Sequence, residues 1–165
     1  MTMPLPTPAE LLSLVPQRPP LRFIDRIVEV DDEQIVSEYT WKDADCAGHF
    51  PGNPVVPGVK MVEMGVQTGL VAWGIYWMRQ RVQGGELIRL RPLLTRLEQG
   101  RFKKMVRPGD TLVCRARLAG AKAPSQGALS ANVDISFRGG SKDGEIAFSA
   151  IASGLWVDKD CEKQP

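Results

Sequence analysis

The chain has one histidine, His49, among its 165 residues, and three cysteines, Cys46, Cys114 and Cys161, with no paired spacing. A single histidine excludes a histidine-rich metal site, and these cysteines resemble neither a zinc site nor a disulfide framework. So few pairable thiols suit a reducing compartment, with the cytoplasm the expected location. The net charge of +2 is too small to argue for nucleic acid, and no recognition motif accompanies it. Long uninterrupted hydrophobic runs are also missing. The longest candidate, Val55 to Met78, contains Lys60, Glu63 and Gln67, which is wrong for a membrane span and right for a helix inside a protein. The opening "MTMPLPTPAELLSL" has no basic n-region and no long apolar h-region, so no signal peptide is expected. No internal repeat interrupts the chain. Its length and its 43% hydrophobic content point to a single soluble domain over 1–165.

What is present is a clear order of elements. "TPAE" (Thr7–Glu10) is a capping box with proline at the first helical position, so a short helix is expected through Leu14. Pro16, Pro19 and Pro20 end it, and residues 1–20 form a helix and lead-in segment. "LRFIDRIVEV" (Leu21–Val30) and "QIVSEYTW" (Gln34–Trp41) read as strands of a hairpin around "DDE". A Pro/Gly-rich loop covers 42–57. From Pro57 to about Arg79 the apolar residues Val59, Val62, Val66, Leu70, Trp73 and Trp77 recur at helical spacing. Other apolar residues cover most of the remaining surface, which marks a core helix. Strands are expected at 87–90, 93–104, 111–121, 128–138 and 145–157, separated by turn chemistry. A solvated tail is expected over 158–165. One long buried helix with five to seven antiparallel strands predicts an α+β fold, a curved sheet wrapped around the helix. Such a layer leaves edges uncovered, so a dimer is expected.

The stretch "AGHFPGNPVVPGVKMVE" (Ala47–Glu63) raises the question of function. It holds the one histidine in a loop stiffened by Pro51, Pro54 and Pro57. Gly58 opens the core helix, where free N–H groups and the helix dipole can hold a carbonyl oxygen that gains negative charge. Glu63 lies within that helix, and Gln67 one turn further on the same face. Burial would raise the pKa of Glu63 toward use as an acid, and a helix N-terminus would favour neutral His49 as a base. Taken singly, His49 suits a loop residue, Glu63 an ion-pair partner of Lys60 or a dimer-interface acid, and Gln67 a packing or hydrogen-bonding residue. The combination of a base, an acid and an oxyanion site suits elimination next to a carbonyl, without metal or organic cofactor.

"GHFPGNPVVPGVKMVE" closely resembles the signature of the (3R)-hydroxyacyl-[acyl-carrier-protein] dehydratases of the FabZ type. "LVPQRPPLRFIDRIVEV" (Leu14–Val30) and "RFKKMVRPGDTL" (Arg101–Leu112) resemble that family's flanking segments. The resemblance implies a hot-dog fold and dimers, commonly assembled into trimers of dimers. It implies an active site at the dimer interface, with the histidine and glutamate of one site drawn from different subunits. His49 and Glu63 would be the catalytic pair, with the Gly58 amide, Val59 nearby, on the thioester carbonyl, and Phe50, Pro57 and Gln67 in support. The substrate would be an acyl chain on the phosphopantetheine of acyl carrier protein, and the product a trans-2-enoyl thioester. No cofactor, nucleic acid or membrane is implied.

Departures from the family pattern bear on the pathway. Gln17 stands where histidine is usual, Pro19 where tyrosine is usual, and Arg22 puts a charge in an apolar segment. Trp73, Tyr76 and Trp77 make the helix bulky, which suits core packing or a reshaped acyl tunnel. Both fatty-acid synthesis and a polyketide or aryl-polyene pathway fit. A basic segment follows the helix, and Arg101, Lys103, Lys104 and Arg107 are candidates for docking an acidic carrier protein. The alternatives are a hot-dog acyl-thioesterase or enoyl-CoA hydratase, and a non-catalytic acyl-binding partner subunit.

Overall fold

The computed structural model describes residues 4–80, 90–120 and 127–158. The expected tail after Asp158, most of the expected strand at 87–90 and Cys161 lie outside the described residues.

Helix α1 spans Pro8–Leu14, and its capping box forms as expected: the Thr7 hydroxyl accepts from the Glu10 amide, and the Glu10 carboxylate accepts from the Thr7 amide. Strands β1 (Arg26–Val30) and β2 (Gln34–Thr40) make the hairpin. The Asp31 carboxylate closes its turn by accepting from the amides of Glu33 and Gln34. β1 starts later than the sequence suggests. Phe23 gives its amide to Gln67 Oε1 at 2.8 Å, so the stretch before Asp25 serves the central helix and not the ladder.

The central helix runs without interruption through α2 (Gly58–Val66), a π-helical segment (Gln67–Ala72) and α3 (Trp73–Arg79). The sequence pattern predicts a helix here but not its widened middle. Its sheet-facing side is trimmed to glycine. A Cβ on Gly65 would lie 2.8 Å from Val133 Cγ1, and one on Gly69 would lie 3.0 Å from Ala116 Cβ. The helix axis therefore lies close against the sheet.

The remaining strands are β3 (Leu90–Phe102), β4 (Thr111–Leu118), β5 (Ala128–Arg138) and β6 (Ile146–Asp158). They form one antiparallel sheet in the order β1-β2-β4-β5-β6-β3. The expected break near residue 91 is absent: β3 runs through Pro92, which an edge strand tolerates. Asp158, expected in the tail, still pairs with Leu90 in the ladder. β5 alternates as read, with Ala131, Val133, Ile135 and Phe137 buried and the residues between them wetter.

The core lies between helix and sheet. At one end Phe23, Tyr39 and Trp41 form an aromatic cluster, with ring centroids 5.0–5.6 Å apart. At the other, Trp73, Tyr76 and Trp77 are all buried, and Trp73 Nε1 donates to the Asp31 carbonyl at 2.9 Å. The bulky helix residues are thus core. Edge strand β3 is different. Leu93, Leu94, Leu97 and Phe102 are exposed there, as is Val59 at the head of the helix. Among the described residues no helix is long and apolar enough to cross a membrane.

Candidate active site

His49 is carried by the turn that follows the 3-10 segment Asp43–Cys46. Its amide donates to the Cys46 carbonyl and its carbonyl accepts from the Val55 amide, both at 2.8 Å. The ring is half-buried and stacks on Phe50, with centroids 4.0 Å apart. Nδ1 lies 2.9 Å from the Val55 carbonyl. A carbonyl can only accept, so Nδ1 carries the proton. In the neutral ring Nε2 then holds a free lone pair, the form a general base needs.

The loop is tied to the fold at several points. The Val56 amide donates to the Val106 carbonyl at 2.9 Å. Arg107 reaches back with its guanidinium to Asn53 Oδ1 at 2.8 Å and the Pro54 carbonyl at 3.3 Å. Asp45 is buried, and its carboxylate accepts from Tyr39 Oη and the Lys42 amide, each at 2.9 Å. Burial and the adjacent Asp45 carboxylate push the Tyr39 phenol up, keeping it protonated and donating. Burial also pushes the Cys46 thiol up, away from nucleophilic use.

Gly58 begins α2, and the first N–H groups of a helix have no carbonyl behind them within the helix. Pro57 sets the approach. The Phe102 ring lies under this turn, so close that a Cβ on Gly58 would sit 2.8 Å from it. Val59 beside it is 75% exposed.

Glu63 is half-buried, less enclosed in the single chain than the sequence suggests. Its position is set by Gln67, which is fully buried and uses three bonds. Gln67 Nε2 donates to Glu63 Oε1 at 2.8 Å and to the Leu21 carbonyl at 2.6 Å, and Oε1 accepts from the Phe23 amide at 2.8 Å. Gln67 also opens the π segment, which turns this face of the helix relative to the ideal α path. Sequence reading marks Gln67 as supporting; the hydrogen bonds identify it as the link between Glu63 and the lead-in segment. Lys60 does not pair with Glu63. Its ammonium donates to the Asp45 carbonyl at 2.7 Å.

The basic residues after the helix are dispersed. Lys104 pairs with Glu145 at 2.7 Å, and Arg107 braces the His49 loop. Lys103 is exposed. Arg101 pairs in register with Ser149, next to Phe102, which pairs with Phe148. It lines a polar recess of about 260 Å³ on the outer face of the sheet, with Asn132, Asp134 and Ser149.

Comparison with known proteins identifies the family and the fold. A family model described as ApeI-like, ApeI dehydratase, matches residues 29–135. The chain is 34% identical over 116 residues to the 3-hydroxyacyl-[acyl-carrier-protein] dehydratase FabZ of Caldicellulosiruptor bescii, covering 68% of this chain and 77% of that protein. It is 40% identical over 112 residues to FabZ of Bartonella quintana, covering 66% and 68%. Among solved structures, a chain of the dehydratase heterocomplex ApeI:P from Xenorhabdus doucetiae superimposes with a TM-score of 0.73 over 94% of both chains, at 15% identity. Thioesterase PA1618 from Pseudomonas aeruginosa shares the fold at a TM-score of 0.57 over 81% of each chain, at 14% identity.

Proposed function

The chain belongs to the ApeI-like dehydratases, within the FabZ-type 3-hydroxyacyl-[acyl-carrier-protein] dehydratases, and from that premise we propose how its residues carry out the dehydration. The substrate is a (3R)-hydroxyacyl thioester on the phosphopantetheine arm of acyl carrier protein, and the product is the trans-2-enoyl thioester. The observation that carries the mechanism is the His49 tautomer: Nδ1 is committed to the Val55 carbonyl, which leaves Nε2 as the base.

His49 Nε2 takes the proton from the carbon next to the thioester. The electron pair left behind is drawn toward the thioester oxygen, which the Gly58 amide holds, helped by the helix dipole. As the carbon–carbon double bond forms, the bond to the β-hydroxyl breaks. Glu63, oriented by Gln67, gives that oxygen a proton, and water departs. Among the described residues the two thiols, Cys46 and Cys114, are buried and pushed up, away from nucleophilic use.

A second copy of the chain completes the site. Exposed Val59 and Phe102 at the helix head, with exposed Leu94 and Leu97 further along β3, form an apolar edge that a partner would cover. Such a partner would close over half-exposed Glu63. A homodimer, or a trimer of dimers, in the cytoplasm is the assembly we favour. The pathway is fatty-acid or polyketide-like, including aryl-polyene synthesis, in keeping with the ApeI-like family match. Carrier docking falls chiefly to exposed Lys103, with Arg101 and Lys104 contributing to the surrounding potential. Lys103→Glu should raise KM for a carrier-linked substrate and leave a soluble thioester unaffected; equal effects on both would remove it from the docking surface.

The deciding experiment mixes the purified protein with a short (3R)-hydroxyacyl thioester and follows enoyl absorbance. His49→Ala and Glu63→Ala should each lower kcat by roughly 100-fold or more, the scale of losing a general acid or base. Release of free thiol in place of enoyl product would mark a thioesterase. Turnover that survives His49→Ala would remove the base assigned here.

A further inference from the structure

Lys60 is an unexpected residue where it stands. It occupies the first turn of α2, where a cation faces the positive end of the helix dipole. Among the described residues it forms no ion pair with a carboxylate. Its ammonium is instead spent on a neutral group, the Asp45 carbonyl, at 2.7 Å in a part-buried contact. The same ammonium lies 5.7 Å from the centroid of the Phe23 ring.

The two contacts lead to the two catalytic groups. Asp45 is the anchored start of the His49 turn: its buried carboxylate is held by Tyr39 and Lys42, and the next residue, Cys46, accepts the His49 amide at 2.8 Å. Phe23 gives its amide to Gln67, which in turn holds Glu63. Lys60 thus reaches the supports of both His49 and Glu63. Resting on the dehydratase reading, we propose that Lys60 is a positioning residue: its ammonium holds the His49 turn against the helix that carries Glu63. It touches no reacting atom. It sets where Nε2 sits relative to the helix head, and a displacement of the base by a fraction of an ångström is enough to slow proton abstraction.

The single histidine makes the test direct, because every imidazole signal in the protein belongs to His49. Imidazole 15N spectra and kinetics on a soluble (3R)-hydroxyacyl thioester are recorded for the full-length protein, Lys60→Met and Lys60→Arg. The unmodified protein should show the Nδ1-protonated tautomer in its neutral form. Lys60→Met keeps the aliphatic stem and removes the ammonium. It should mix the tautomers and lower kcat by roughly 10-fold with KM within about 2-fold, and Lys60→Arg should restore most of the rate. Unchanged imidazole signals and kcat in Lys60→Met overturn the proposal, as does a rate loss that only tracks the folded fraction seen by circular dichroism. A wild-type protein that turns over no hydroxyacyl thioester overturns the dehydratase reading itself, and the imidazole spectra still decide whether Lys60 holds His49.

Discussion

The two ends of the central helix are built on opposite plans. The first, Gly58 to Gln67, leaves Val59 exposed and Glu63 half-buried, and uses Lys60, Glu63 and Gln67 to make directed hydrogen bonds. The second, Trp73 to Arg79, is sealed by large side chains: Trp73, Tyr76, Trp77 and, from β6, Trp156. Trp156 Nε1 donates to the Leu70 carbonyl in the π segment at 3.3 Å and leaves no space beside Gly74. The head of the helix is thus organised by polar geometry, and its tail by volume. A dehydratase needs a rigid scaffold below and a reactive, ligand-accessible end above, and this helix provides both, with the π segment as the join.

Matched glycine substitutions at the two ends break this comparison most sharply. Gly58→Ala places a Cβ 2.8 Å from the Phe102 ring, but that ring is more than half exposed and free to turn aside. Stability should change by under about 1 kcal/mol, while, on the mechanism proposed above, the added methyl crowds the approach of the thioester oxygen to the amide. A kcat loss of roughly 100-fold is expected, the scale of one missing oxyanion donor. Gly74→Ala should do the reverse. Its Cβ would lie 2.3 Å from Trp156 Nε1, in packing with no slack. Denaturant unfolding should show a loss of about 1–3 kcal/mol, with kcat per folded molecule within about 2-fold of wild type. If Gly74→Ala proved catalytically dead at full stability, the division of labour along the helix would be wrong.

The smallest effect sharpens the contrast from outside the helix. Glu38 on β2 is buried on the sheet and paired with Arg26 and Arg138. Burial alone would push its carboxyl up, but the two guanidinium partners outweigh that and hold it below the usual glutamate value. A carboxyl with a depressed folded-state pKa stabilises the protein above its unfolded pKa, and that contribution fades as pH falls through the folded value. Thermal unfolding from pH 7 down to pH 3 should therefore show the gap between wild type and Glu38→Gln narrowing as acid is added. A gap that stays constant over this range would mean the pair contributes through packing and not through charge. No change in kcat is expected at pH 7, since Glu38 lies away from the site.

Much of this was legible in the residues, for physical reasons. The capping box at Thr7–Glu10 is a local interaction, and it formed as read. The alternation of β5 follows from a sheet with one buried face, and the helical spacing of Val59 to Trp77 from a core helix. Other features are not local. That β1 begins only at Arg26 depends on Gln67, more than forty residues away, capturing the Phe23 amide. The roles of Arg107 and Lys60 were equally hidden. As letters they are surface cations; only the folded chain brings one to Asn53 and the other to the Asp45 carbonyl.

The sequence by itself determined the elements, the presence of one histidine in a proline-stiffened loop and an acid in a core helix, because periodicity and backbone restriction act over a few neighbouring residues. The tertiary structure alone decided which nitrogen of His49 is free, what holds Glu63, and which cations brace the site. Those outcomes depend on hydrogen bonds between groups far apart in the chain, and such partners are chosen only when the helix has settled on its sheet.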